Sequence, residues 1–228
     1  SCHMKHIQKE PKDIRVLVCL SGGVDSSVAA ALLVEQGYTV TAAYMKQWSD
    51  TTELTGVCSW KEDRRDAIRV AASLGIPLLT LDFEQEYREF VMSYMFAEYS
   101  AGRTPNPDVM CNKFIKFGAW LGKAKELGFD YLATGHYADV RLNPDTHLYE
   151  LVQSKDTDKD QTYFLYRISG DVLKDTLFPV SDYTKPQIRE LAVKFELPTA
   201  KKPDSQGICF VGEVGMREFL SLYIKTTP

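Results

Sequence analysis

The stretch RVLVCLSGGVDSSVAAALLVEQ, residues 15–36, decides the fold. Its first six residues are apolar and rich in valine, as in a strand buried on both faces. Its last dozen read as a helix, with Asp25 or Ser26 placed to cap it and Gly37 to end it. Between them, residues 21–27 hold two glycines and three hydroxyls. Gly22 and Gly23 let a backbone approach an anion closely. The amides of residues 24–27 are the unpaired first donors of the helix, and with the helix dipole they form an anion site. The spacing is neither GxGxxG nor the lysine-bearing Walker A loop, and no lysine stands in the turn itself.

Outward from this unit, residues 38–45 read as a second strand, 61–75 as a helix closed by glycine, and 76–82 as a third strand. Phe83, Tyr87, Phe90, Val91, Tyr94 and Met95 recur at helical spacing, predicting an amphipathic helix over 83–99. Residues 101–112, with two prolines, two asparagines and a glycine, read as a loop. A helix carrying Phe114, Phe117, Trp120, Leu121, Ala124 and Leu127 follows, then a fourth strand over 131–138. Residues 147–154 read as strand, 183–197 as a helix capped by Thr184 with Pro186 in its first turn, and a short helix is expected near 216–223. The alternation of strand and helix predicts an α/β fold: a parallel sheet with helices on both faces. Right-handed crossovers then bring the loop after Leu20, the segment after Met45 and the GHYA turn (residues 135–138) to one rim.

Length and composition set bounds. The 228 residues suit one large domain or a domain plus part of a second, and 44% hydrophobic and 25% charged content is that of an ordinary globular protein. The net charge of −4 argues against a uniformly basic nucleic-acid binder, while leaving room for a local patch. No apolar run approaches the roughly 18 residues of a membrane span, and residues 1–4 read as a cloning scar. Of five cysteines Cys2 lies in the scar, and the four others, scattered without CxxC pairing or a secretion signal, point to a reducing, cytoplasmic setting. Cys19 lies in a strand and reads as packing. Cys58 is ambiguous. Cys111 and Cys209 sit in turn-rich stretches flanked by Lys113, Lys116, Lys201 and Lys202, where a thiol pKa can fall. Asp108 is near enough in sequence to move a proton or orient a base.

SGGVDSS resembles the pyrophosphate loop of the N-type ATP pyrophosphatases, which have the adenine nucleotide alpha hydrolase-like fold, cleave ATP between its α- and β-phosphates and adenylate a substrate oxygen. With TPNPDVMCN, TGHYA, DKDQTYFL and KPDSQGICF in order, the chain resembles the tRNA-specific 2-thiouridylases over about residues 15–219. That resemblance implies adenylation of the 2-oxygen of a tRNA wobble uridine, followed by replacement of AMP with sulfur. It implies Cys209 as the persulfide carrier, Cys111 as the partner thiol able to close a disulfide with it, and Asp108 as the acid/base. It implies ATP contacts at Cys19, Leu20, Ser21, Gly22, Gly23, Val24, Asp25, Ser26, Met45 and Gly135. It implies tRNA contacts at Asn106, Pro107, Asp108, Lys159, Asp160 and Gln161. ATP with Mg2+ is the implied cofactor and substrate; tRNA and a sulfur-donor protein, either a persulfide relay or a cysteine desulfurase, are the implied partners. No protein-bound metal and no membrane are expected. An iron–sulfur cluster is a minor alternative, since ligation normally wants three or four thiolates.

The expected organisation is a scar and tail over 1–13, an ATP pyrophosphatase domain over 14–170, and a helical and loop extension with the second cysteine over 171–228 that begins a second small domain. The family's C-terminal β domains are expected to lie outside this sequence. Two other readings stay open. A GMP synthetase-like adenylating ligase would not need Cys111 or Cys209. A nucleotide-binding sensor would show no turnover.

Overall fold

The structure is a computed structural model that describes residues 9–46 and 59–204. Five strands form a parallel sheet: β1 Arg15–Cys19, β2 Thr39–Lys46, β3 Leu78–Asp82, β4 Tyr131–Ala133 and β7 Thr176–Leu177, in the order β3-β2-β1-β4-β7. β1 pairs with β2 from Arg15 opposite Thr39 to Cys19 opposite Ala43, and with β4 from Val16 opposite Tyr131 to Val18 opposite Ala133. The chain leaves β1 toward β2 on one side and later returns to β4 on the other. The C-terminal end of β1 is therefore the point where strand order reverses, the usual ligand crevice of an open α/β sheet.

Alternate residues of β1 feed two cores, as the two-residue period of a strand requires. Val16, Val18 and Leu20 pack with helix α1 (Val24–Glu35), with Ala67, Val70 and Ala71 of α2 (Ser59–Leu74), and with Ile188 and Ala192 of α7 (Lys185–Lys194). Leu17 and Cys19 face the other layer, with Tyr87, Val91 and Met95 and with Cys111, Ile115, Phe117 and Trp120. The expected sheet with helices on both faces is present. An antiparallel hairpin, β5 Ala138–Leu142 with β6 Tyr149–Gln153, lies between β4 and the short helices α5 (Thr162–Leu165) and α6 (Gly170–Leu173). β7 and α7 join the same sheet and the same helical layer as the preceding residues.

Several local expectations are corrected. The helix expected over 83–99 is α3, which runs as Glu84–Glu86, widens to π geometry over Tyr87–Met92, and returns to α over Ser93–Ser100. Tyr87, Val91 and Met95 are buried, but Phe90 is on the exposed side, because the apolar stripe does not extend to it. The stretch read as a loop over 101–112 is helical from Pro107. This helix, α4, runs Pro107–Cys111, takes π geometry over Asn112–Trp120 and ends in α form at Leu121–Glu126. Asn106 is its N-cap, its side chain accepting from the amide of Val109 at 3.3 Å, and Pro107 sits at the first helical position. The asparagine and proline taken for loop formers are thus a helix start. The fourth strand ends at Ala133, and residues 138 onward belong to β5. α1 starts at Val24 with Gly23 as N-cap, so neither Asp25 nor Ser26 caps it. α7 starts as expected, Gln187 Oε1 accepting from the Thr184 amide at 2.9 Å. The helix expected near 216–223 lies outside the described residues.

Candidate active site

The turn between β1 and α1 is wedged between two backbones. Gly22 has φ of +86°, and a Cβ there would sit 2.6 Å from the carbonyl oxygen of Asp63 on α2. A Cβ on Gly135, in the turn after β4, would sit 2.6 Å from the amide nitrogen of Ser26. Both glycines are required by close approach. Gly135 therefore meets the turn by direct packing, on the rim where the topology predicted the two would converge.

Hydroxyls hold the turn from within. Ser26 Oγ accepts from the Ser21 amide at 3.2 Å, lies 3.1 Å from Ser21 Oγ, and donates to the Gly23 carbonyl at 3.3 Å. Ser27 Oγ donates to the same carbonyl at 2.6 Å, and Thr199 Oγ1 donates to Ser27 Oγ at 2.9 Å. Ser21 is exposed at the mouth, whereas Ser26 and Ser27 are buried. These serines shape the loop, leaving the first-turn amides of α1 directed along the helix axis toward the rim, the arrangement that favours an anion.

Lysines distant in sequence reach the turn. Lys202 Nζ donates to the Gly22 carbonyl at 3.0 Å, to Asp63 at 2.9 Å and to Asp66 at 2.7 Å. Desolvation lowers the Lys202 pKa, but the two carboxylates outweigh it and the net direction is up, so the ammonium stays charged. Sequence reasoning placed Lys202 beside Cys209; here its charge is fixed on the glycine–serine turn. Lys185 Nζ lies 2.7 Å from both Asp25 Oδ1 and Asp204 Oδ1. Tyr137 Oη donates to Asp25 Oδ1 at 2.8 Å, and burial followed by the Asp25 charge pushes its pKa up. Asp63, Asp66, Tyr137, Lys185 and Thr199 were not foreseen. They join the turn only through the fold, at separations of up to 172 residues for Thr199 and Ser27.

Asp204 receives Lys185, Arg189 at 2.9 Å and Lys159 at 3.3 Å. The Lys185 hydrogen bond, opposed by partial desolvation, holds its carboxyl below the ordinary range. A carboxylate depressed in the folded state contributes stability above its unfolded pKa of about 3.9, and that contribution is lost as pH falls through the folded value. Thermal melts of Asp204→Asn should therefore vary less between pH 5 and 3 than those of the parent, within roughly that titration window. Equal acid dependence in the two proteins would refute the network's role.

The remaining expected site residues fall in three places. Cys19 and Leu20 are buried at the end of β1, where the Leu20 amide donates to the Ala43 carbonyl at 2.9 Å, and Val24 is buried at the start of α1. Burial pushes the Cys19 thiol up, opposed by the charge of Lys116, so Cys19 stays protonated as the packing reading requires. Met45 is buried near the end of β2. Asn106, Pro107 and Asp108 open α4, and Cys111 ends its first segment. A helix that leads into a parallel strand starts at that strand's C-terminal rim, so these residues share the rim with the phosphate turn. The electrostatic influence of Lys116, further along the same helix, on Cys19 and His136 is consistent with that proximity. Cys111 is 2% exposed, not the exposed loop thiol expected, because residue 111 turns into the core as the helix begins. The third place is the segment before α5. Asp160 Oδ1 accepts from Thr162 Oγ1 at 2.6 Å, Gln161 Oε1 accepts from the Tyr137 amide at 3.0 Å, and Lys159 is exposed. Cys58 and Cys209 lie outside the described residues.

His136, half-buried beside Phe117 and Phe178, lies 2.8 Å from Thr134 Oγ1 through Nδ1. Burial, then the charge of Lys116, holds it well below the ordinary imidazole value, so it is neutral at neutral pH. Among the described residues no group of three or more His, Cys, Asp or Glu is placed to hold a metal, and no helix is long and apolar enough to cross a membrane.

A five-stranded parallel sheet with a glycine–serine turn at its switch point defines an α/β domain of the adenine nucleotide alpha hydrolase-like kind. Solved structures share the fold: the glutamine-dependent NAD+ synthetase of Acinetobacter baumannii (TM-score 0.54, 16% identity, 83% of this chain and 32% of that one) and a 4-thiouridine synthetase–RNA complex with bound ATP (TM-score 0.52, 20% identity, 92% and 49%). The chain belongs to the tRNA methyl transferase HUP domain family, whose model matches residues 14–213. It is 52% identical over 220 residues to the tRNA-specific 2-thiouridylase MnmA of Lactococcus lactis subsp. cremoris (strain MG1363), covering 96% of this chain and 58% of that protein. It is 54% identical over 215 residues to the MnmA of Streptococcus sanguinis (strain SK36), covering 94% and 57%. The chain thus spans a little over half the length of these relatives.

Proposed function

We propose that this chain is the ATP-pyrophosphatase part of a tRNA 2-thiouridylase. What supports the reading is topology: α4, which opens with Asn106, Pro107, Asp108 and Cys111 and leads into β4, starts at the same end of the sheet as the glycine–serine turn. The relatives, named tRNA-specific 2-thiouridylases, supply the reaction, and a pairing of an anion site with a thiol suits it. ATP fits the cradle. Gly22 and Gly135 let the Asp63 and Ser26 backbones close around the turn, and the amides of residues 24–26, with Ser21 at the mouth, meet phosphate oxygens. Cys19, Leu20 and Met45 line the ends of β1 and β2, where the nucleoside lies. Mg2+ travels with the triphosphate and neutralises its charge.

The wobble uridine reaches the start of α4 out of its stack. Its 2-oxygen attacks the α-phosphorus, pyrophosphate leaves, and C2 then carries AMP as leaving group. Asn106 and Pro107 hold the base, and Asp108 moves the proton. The terminal sulfur of a Cys209 persulfide, loaded by a sulfur-donor protein, attacks C2 and expels AMP. The Cys111 thiolate then attacks the Cys209 sulfur, closing a disulfide and releasing the 2-thiouridine. A thiol reductant restores both cysteines. Lys159, Asp160 and Gln161 contact the tRNA, with Asp160 and Gln161 shaping the turn that presents Lys159. Residues 14–170, with the sheet and helix they share with 171–204, form the nucleotide-binding body.

The family description names methyl transfer, but the relatives at 52–54% identity are thiouridylases. Mass spectrometry of tRNA after incubation of the full-length protein with ATP, Mg2+ and a persulfide source should show oxygen replaced by sulfur at the wobble uridine. Unchanged uridine would refute thiolation, a methyl increment would favour methyl transfer, and turnover insensitive to either cysteine would favour an adenylating ligase. An anaerobic visible spectrum separates the thiol route from a cluster.

A further inference from the structure

Two large aromatic rings stand in solvent beside α4. Tyr163 is 64% and Tyr166 56% exposed, while Leu165 between them is buried and fixes the short helix to the core. Three residues apart, the rings share a face, with centroids 5.6 Å apart and planes tilted by 31°. Arg167 extends the surface. Its Nε donates to Tyr166 Oη at 3.2 Å, its guanidinium carbon lies 5.8 Å from the Tyr166 centroid, and its Nη1 lies 4.0 Å from Met110 Sδ. Met110 is the residue before Cys111, and α5 packs against the first segment of α4. The exposed rings therefore adjoin the segment proposed above to receive the target base.

Scattered exposed apolar residues need no explanation. Here two rings are paired, joined to a guanidinium and set against the thiol helix. Aromatic faces with an arginine form a surface on which a nucleobase stacks, with the cation serving the adjacent phosphate. We propose that Tyr163, Tyr166 and Arg167 form a stacking platform for an unpaired base of an RNA loop, the neighbour of the base that enters the site. The platform rests on the tRNA reading and extends it to residues outside the expected contacts Lys159, Asp160 and Gln161. Because every base has a π face, the platform tolerates sequence and holds the loop open while the α4 segment selects the uridine.

The test is fluorescence anisotropy of a labelled anticodon stem–loop RNA with the full-length protein, alongside ATP binding. Tyr163→Ala combined with Tyr166→Ala should weaken RNA binding about tenfold or more, as loss of base stacking does, with ATP affinity unchanged. The paired Tyr→Phe changes should retain RNA affinity, since they keep the faces. Arg167→Ala should lower the slope of affinity against salt by about one phosphate contact, and the alanine pair should not. A 2-aminopurine in the loop should be quenched by the parent and not by the alanine pair. Parent-like RNA binding by the alanine pair, or equal loss with alanine and phenylalanine, overturns the platform. So does a loss confined to binding of a sulfur-donor protein, which would make the patch a protein interface. A parent protein that binds ATP but not the stem–loop would instead overturn the tRNA reading itself.

Discussion

Gly22→Ala should weaken ATP binding by about 100-fold or more, which corresponds to roughly 2.8 kcal/mol. Two costs combine. A side chain at φ of +86° costs about 1–2 kcal/mol, and forcing a methyl into a packed contact costs about 1–3 kcal/mol. Relief of the 2.6 Å contact with the Asp63 carbonyl requires α2 and the turn to move apart, and that displacement carries the Gly22 carbonyl away from Lys202. Gly37→Ala supplies the control. It has a similar φ of +88°, but its nearest neighbour would be Pro11 Cβ at 3.8 Å, so it should lower the melting temperature and spare ATP affinity. Calorimetric titration of both variants with ATP reads the difference. Parent-like affinity in Gly22→Ala would show that this turn is not where the phosphates lie.

Cys111→Ser should separate the two halves of the proposed reaction in the full-length protein. Pyrophosphate release that depends on tRNA should persist within a few-fold, while 2-thiouridine should fall on the order of 100-fold or more, because a hydroxyl cannot do the work of a thiolate on a sulfur–sulfur bond. The substitution keeps the shape of the side chain but places a hydroxyl in the apolar layer of Ile115, Phe117 and Trp120, at an expected cost of about 1–2 kcal/mol. A melt recorded beside the assay separates that cost from the chemical effect. Thiolation at the parent rate by a folded Cys111→Ser protein would remove Cys111 from the mechanism.

The sheet was readable because each strand from β1 to β4 announces itself by an apolar run ending at a turn or a helix. The glycine–serine turn was readable because Gly22, Gly23 and the three serines fall within seven residues. β7 escaped notice because two residues, Thr176 and Leu177, are too few to show a period. The start of α4 was misread because asparagine and proline serve both turns and helix starts, and the Asn106–Val109 hydrogen bond that decides between them is invisible in composition. The mistaken exposure of Cys111 followed from that error: a residue assigned to a loop was assumed to face water, yet it is buried. Lys185, Thr199 and Lys202 could be placed at the turn only by folding, since lysine and threonine at those positions have no local pattern.

The bond from Lys202 to the Gly22 carbonyl spans 180 positions. On the ribosome, β1 and α1 emerge among the first described elements, yet their fastener is made 180 residues later. A nascent chain with the glycine–serine segment already in solvent still lacks the ammonium that ties it to Asp63 and Asp66, and it meets the entropy cost of closing that long loop before the tie forms. Competence to grip a triphosphate should therefore arise only after Lys202 has left the exit tunnel, rather than when the signature segment first does.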